Sequence, residues 1–280
     1  MNNIIKFARY IFGIILIFSF AMSSIFVFAQ DGVRKSVKTE KGIMQAYIKG
    51  SGSKTIVMLS GFGTDNPIGD FAPLADKFCD EYKVVILEYF GYGSSDITKD
   101  ERTNQSIVVE IRMALCGLGI EPPYILMPHS MSGLYSLYYA GKYPEEVSGI
   151  IGIDMSLPQK QIERRESGEL KEISAENPEK LNISLLNQWN KFYENSKELE
   201  SIKYPENMPV LAFLATEQID SVNSMIKLGK MKTSWVDMNN IMITNPDIQN
   251  IEILEGTHYL HHEQADRISE ISKRFIDGVI

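Results

Sequence analysis

The stretch Tyr124-Ile125-Leu126-Met127-Pro128-His129-Ser130-Met131-Ser132-Gly133 decides how the rest of the chain reads. An apolar run ends at Pro128, Ser130 follows, and Leu134-Tyr135-Ser136-Leu137-Tyr138-Tyr139-Ala140 has the composition of a helix that stops before Pro144. A strand, a sharp turn with a serine at its apex and a helix together lift a hydroxyl clear of the backbone and aim a helix N-terminus at it. So tight a turn favours small residues two positions before and two after the serine, hence the pattern G-x-S-x-G. Pro128 and Ser132 hold those positions here, so the strict pattern is broken twice. The competing reading is a serine in an ordinary strand-to-helix loop, and the flanking chain has to choose between them.

Working upstream, residues 42–49 and 55–59 read as strands separated by the turn Gly50-Ser51-Gly52-Ser53. The second is apolar throughout, as befits a strand covered on both faces, and opens into the glycine-rich loop Ser60-Gly61-Phe62-Gly63-Thr64. Residues 72–82 have helical spacing. Residues 83–89 form another apolar strand leading into Gly91-Tyr92-Gly93-Ser94-Ser95, and residues 104–118 an amphipathic helix closed by Gly119. Downstream, residues 147–154 read as a strand, 209–215 and 250–254 as two more, 235–243 as a helix and 265–276 as the closing helix. Strand and helix in alternation predict βαβ units and a mostly parallel sheet flanked by helices, an α/β fold. Residues 159–208 break the alternation with charged sequence and short apolar clusters. They are expected to form a small helical lid over the carboxyl ends of the strands, where open α/β sheets bind ligands; a solvated surface excursion is the alternative.

The chain has 280 residues, 44% of them hydrophobic, and carries a net charge of −8. Once the N-terminal segment is set aside, about 250 residues remain, the size of one large α/β domain. The negative balance argues against nucleic acid or an anionic membrane surface as a partner. The two cysteines, Cys79 and Cys116, read as buried thiols rather than a disulfide framework. Residues 1–30 differ from the rest: Lys6 and Arg9 precede an uncharged run over residues 10–29, about 20 residues and long enough to span a bilayer. The run ends Val27-Phe28-Ala29-Gln30, which also suits signal-peptidase cleavage. A cleaved leader and an uncleaved membrane anchor both remain open, and either leaves residues 31–280 outside the cytoplasm. Residues 31–40 read as a polar tether.

The motif order, from about residue 42 to the C-terminus, resembles the α/β-hydrolase superfamily. The resemblance rests on the Ser60-Gly61-Phe62-Gly63 loop, Gly91-Tyr92-Gly93-Ser94-Ser95, the Ser130 turn and a late His258 after a strand. His129-Ser130-Met131-Ser132-Gly133 is similar to the G-H-S-M-G-G elbow of that family. The resemblance implies a single-domain serine hydrolase with a lid after the sixth strand.

A serine hydroxyl becomes nucleophilic when a base takes its proton. Among four histidines, His129 abuts Ser130, but its side chain should point into the sheet rather than toward the hydroxyl. His258 follows Gly256-Thr257 in the loop that carries the family's imidazole. His261 and His262 lie a turn onward at the start of the closing helix and read as structural. A metal site from His258, His261, His262 and Glu263 lacks an H-E-x-x-H spacing and is set aside. The family's acid usually follows the strand over residues 210–215, but that slot holds Gln218, an amide, flanked by Glu217 and Asp220. Some lipases of the fold instead carry it after the strand that follows the elbow helix, and Gly152-Ile153-Asp154-Met155-Ser156-Leu157-Pro158 resembles that arrangement. Asp154 is therefore preferred, Glu217 is the alternative and Asp220 stands behind both; Asp154 as a turn cap remains open. The resemblance places the oxyanion-binding N–H groups at Phe62 and Met131.

The implied activity is hydrolysis of a carboxylic ester or related small-molecule acyl substrate through an acyl-enzyme, with no cofactor. Aminopeptidase, lactonase and thioesterase chemistry fit the same machinery. A non-catalytic homologue that binds a ligand at the membrane surface is the reading from another class, motivated by the broken elbow and by Gln218.

Overall fold

Alternate residues of the central strands go to opposite faces of one sheet, because side chains on a strand alternate. Val57, Leu59, Val85, Leu87 and Leu126 belong to one core, while Ile56, Met58, Val84, Ile86, Ile125 and Met127 belong to the other. Both faces are covered, which is why these strands are apolar without a polar side. The computed structural model describes residues 31–173 and 181–280; the uncharged N-terminal run and part of the expected lid lie outside them. Among the described residues, no helix is long and apolar enough to cross a membrane.

Among the described residues, eight strands form the sheet: β1 (Val33–Thr39), β2 (Gly42–Lys49), β3 (Thr55–Leu59), β4 (Lys83–Glu88), β5 (Tyr124–Pro128), β6 (Val147–Ile153), β7 (Val210–Ala215) and β8 (Gln249–Leu254). Their spatial order is β1-β2-β4-β3-β5-β6-β7-β8. Strands β3 to β8 run parallel, and β1 and β2 form an antiparallel hairpin at one edge. Helices α1 (Pro67–Phe78) and α9 (Ala265–Val279) cover one face. The other carries α2 (Asn104–Gly117), α3 (Ser132–Lys142) and α5 (Ile183–Glu198). The remaining helices are α4 (Pro158–Glu166), α6 (Thr216–Lys227), α7 (Trp235–Met242) and the short α8 (Leu260–Glu263). The expected mostly parallel sheet with flanking helices is what the chain forms.

Register places the site. Leu59 pairs with Pro128, His129 bridges to Ile153, Ile153 pairs with Phe213 and Ala215 with Leu254. The strands thus end side by side, and the loops after β3, β5, β6, β7 and β8 all leave from one edge of the sheet.

Several expectations need correction. Residues 31–40 are not a tether: residues 33–39 form β1, in which Val37 alone is buried. An edge strand exposed over most of its length has no apolar period, and its Arg and Lys side chains guard it against pairing with other chains. The helix expected over residues 72–82 begins earlier, at Pro67, with Asn66 as its cap. Its internal Pro73 lies in the second turn, where the sequence alone suggested a start. Helix α6 was not expected at all, since Val222 is its only fully buried residue. His261 and His262 sit on α8, separate from the closing helix. Cys79 is half-buried and Cys116 exposed, so neither is the buried thiol anticipated.

Candidate active site

Ser130 stands between the end of β5 and the start of α3 with φ +51°, in the left-handed region that non-glycine residues rarely adopt. Backbone bonds hold it there. Its own N–H donates to Ile153 O (3.3 Å), and its carbonyl accepts from Gly133 (3.0 Å) and Ser156 (2.7 Å). The two departures from G-x-S-x-G are accommodated differently. Pro128 takes the last paired position of β5. Ser132 is fully buried, donates to Ser60 O (2.5 Å) and sits 2.8 Å from Tyr89 Oη, which must then be the donor in that second bond. Its hydroxyl thereby ties the elbow to the loop after β3.

That loop presses against the serine. A Cβ at Gly61 would lie 3.1 Å from Ser130 Cβ and 2.9 Å from His129 Nδ1, so only glycine fits without displacement. Phe62 follows, its ring 5.1 Å from Trp189 of α5. Gly63 N–H donates to Tyr92 Oη (3.2 Å), Tyr92 donates to Gln188 Oε1 (2.8 Å), and Gln188 donates to Tyr135 Oη (2.9 Å). Burial pushes both tyrosines well above the usual phenol range, so they remain protonated as this chain requires. Helix α5 is thus bonded to the loop carrying Phe62. Among the described residues, neither the Phe62 N–H nor the Met131 N–H has an acceptor.

Ser130, His258 and Asp154, far apart in sequence, meet at the sheet edge. Ser130 Oγ lies 2.8 Å from His258 Nε2, and His258 Nδ1 lies 2.5 Å from Asp154 Oδ2. A carboxylate accepts, so the proton sits on Nδ1 and Nε2 is left bare toward the serine hydroxyl. The His258 side chain is 28% exposed while that of Asp154 is wholly buried. Asp154 follows β6 with φ +41°, and its Oδ1 accepts from Trp235 Nε1 (3.0 Å) and Ala215 N–H (3.3 Å). Glu217 instead accepts from the backbone N–H of His258 (3.0 Å), and Asp220 is exposed further along α6.

Four more residues shape the site without having been legible as part of it. Trp235 lies 81 positions from Asp154 and nothing in its local sequence marks it as a donor. Lys160 of α4 holds its ammonium 4.6 Å from the Trp235 ring centroid. Burial pushes it down to about 8, against the attraction of Asp154. His129 does not face the hydroxyl, as expected, but neither does it serve only the sheet. Burial, then the neighbouring imidazoles, hold it well below the usual histidine range. It is therefore neutral, and since a carbonyl only accepts, its Nε2–H donates to His258 O (2.9 Å). Asp70, on α1, accepts from both His261 and His262.

A family model described as alpha/beta hydrolase fold matches residues 54–213, and the chain belongs to that family. The chain is 29% identical over 276 residues to the "Uncharacterized protein YbdG" of Bacillus subtilis (strain 168), covering 84% of this chain and 83% of that protein. Among solved structures, Cfl2 from Burkholderia cenocepacia is similar with a TM-score of 0.66 at 15% identity, over 86% of this chain and 95% of that one. A thermophilic esterase from Thermogutta terrifontis gives 0.61 at 15% identity, over 89% and 99%. At such identities the likeness to these two is one of fold.

Proposed function

We propose that this chain is a serine hydrolase of carboxylic esters or related acyl substrates, working through an acyl-enzyme. The observation that carries the reading is the continuous hydrogen-bonded row Ser130–His258–Asp154 at the carboxyl edge of the sheet. In it, His258 Nε2 takes the Ser130 proton as Oγ attacks the substrate carbonyl. Asp154 holds the imidazole in the productive tautomer and stabilises its cation. The Phe62 and Met131 N–H groups receive the developing oxyanion, a contribution of about 3–4 kcal/mol per donor in related chemistry. His258 then protonates the leaving group, and water, activated by the same imidazole, releases the acid. An ester is the preferred substrate class because it is the least demanding acyl chemistry, and the Thermogutta terrifontis protein of this fold is an esterase. The domain is proposed to act outside the cytoplasm, behind the uncharged run of residues 10–29.

A fluorophosphonate probe tests the mechanism, because it reacts with an activated serine and spares a binding protein. Wild type should label, and Ser130→Ala should lose both labelling and hydrolysis of an activated ester with little change in Tm. Labelling that persists in Ser130→Ala would place the nucleophile elsewhere. An unlabelled wild type would favour the ligand-binding alternative.

A further inference from the structure

All four histidines of the chain lie in one row, and the mechanism uses only the first. Ring centroids run His258 to His129 at 4.6 Å, His129 to His261 at 4.5 Å and His261 to His262 at 4.2 Å. The row ends on Asp70. Its Oδ2 is 3.2 Å from His261 Nε2, its Oδ1 2.7 Å from His262 Nε2, and its main-chain oxygen 3.2 Å from His262 Nε2. The three side-chain donor atoms all lie within 4.8 Å of one another. We infer that Asp70, His261 and His262 form a site for a divalent transition metal ion of the zinc type, fastening α1 to the loop that carries His258.

The donor set suits such an ion. Two imidazoles and a carboxylate are the ligands zinc takes, with three protein donors leaving one position open. At Zn–N and Zn–O distances near 2.0–2.2 Å, tetrahedral ligand atoms stand about 3.3 Å apart, close to the 3.2 Å between Asp70 and His261. His261 is fully buried and stacked on Phe71 with ring centroids 4.9 Å apart, so its ring cannot swing away. The His262 side chain is 44% exposed and gives an ion a way in.

The far nitrogen of His261 leaves its tautomer free. If His261 donates from Nε2 to Asp70, its buried Nδ1 is a bare lone pair, and among the described residues that atom has no partner. Nothing on the Nδ1 side therefore fixes the proton on Nε2, and the Nε2 lone pair can be turned to an ion. Because His129 bonds to the His258 carbonyl, the ion would stiffen the segment holding His258 without touching substrate.

The test uses untagged full-length protein stripped with chelator and titrated with Zn2+ alone. One ion per chain should bind saturably, and Tm should rise by about 5–10 °C at a free concentration 100-fold above Kd. Co2+ should give the visible absorption of a tetrahedral site. His262→Gln, at a half-exposed position, and Asp70→Asn should each abolish the Tm rise, whereas His258→Gln should keep it. Absence of saturable binding, binding that survives both His262→Gln and Asp70→Asn, or binding lost in His258→Gln would each overturn the inference, the last because the ion would then sit at the catalytic imidazole. The readouts are binding and stability, so an inactive enzyme would not bear on them.

Discussion

Asp154 and Glu217 both serve His258, one at the ring and one at the backbone N–H, and that division predicts unequal mutants. Asp154→Asn should retain the fold and lose roughly four orders of magnitude in kcat, the scale of a triad carboxylate turned amide. Glu217→Gln keeps an acceptor for the His258 N–H at an exposed position, so it should cost less than about tenfold. Measuring both against one activated ester settles the ranking, and equal effects would remove Asp154 from its role. Trp235 and the Ala215 N–H act differently: both donate to Oδ1 of a buried carboxylate, which would otherwise be expensive to bury.

Helix α4 carries the price of that arrangement. Its Lys160 is 6% exposed, and no carboxylate forms an ion pair with it among the described residues. Burial lowers its pKa from the usual lysine range to about 8. Below that pH the folded and unfolded states are both protonated, and the folded state bears the full cost of the buried charge. Between pH 8 and about 10.4 the unfolded chain binds more protons, so stability rises with pH. Lys160→Met, similar in shape and uncharged, should therefore be more stable than wild type by about 3 kcal/mol at pH 7, with the gap narrowing by pH 9.5. Urea melts of both proteins at the two pH values check this. A gap independent of pH would mean that packing rather than charge separates them. Helix α5 is fixed differently, since Gln188 and Trp189 tie it to Tyr92 and Phe62.

For the whole molecule, the N-terminal sequence predicts where it works. The domain over residues 32–280 forms one compact unit, and the uncharged run of residues 10–29 precedes it. Protein recovered from cells should be found outside the cytoplasm, beginning at Gln30 if the leader is cleaved, or retained in the membrane fraction with the full mass if it is not. N-terminal sequencing and fractionation distinguish these, and a soluble full-length cytoplasmic protein would sink both.

What the sequence determined by itself is what depends on neighbours along the chain. Apolar runs such as residues 55–59 and 83–88 are buried on both faces, so they read as strands without help. The serine at the strand-to-helix turn was visible because turn residues and periodicity are local signals, whereas the histidine after β8 was visible through the resemblance in motif order. Strand β1 was not, because an exposed edge has no apolar period, and α6 was not, because only one of its residues is fully buried. The choice among Asp154, Glu217 and Asp220 stayed open for a different reason. Asp154 lies 104 positions from His258, and which carboxylate meets the imidazole depends on the alignment of β6, β7 and β8 within the sheet. Trp235 and Asp70 belong to the same class: each acquires its partner only when distant helices pack on the sheet. Local sequence sets which elements form, whereas hydrogen-bond partners across a hundred residues are set by sheet register and helix packing, and those exist only in the folded chain.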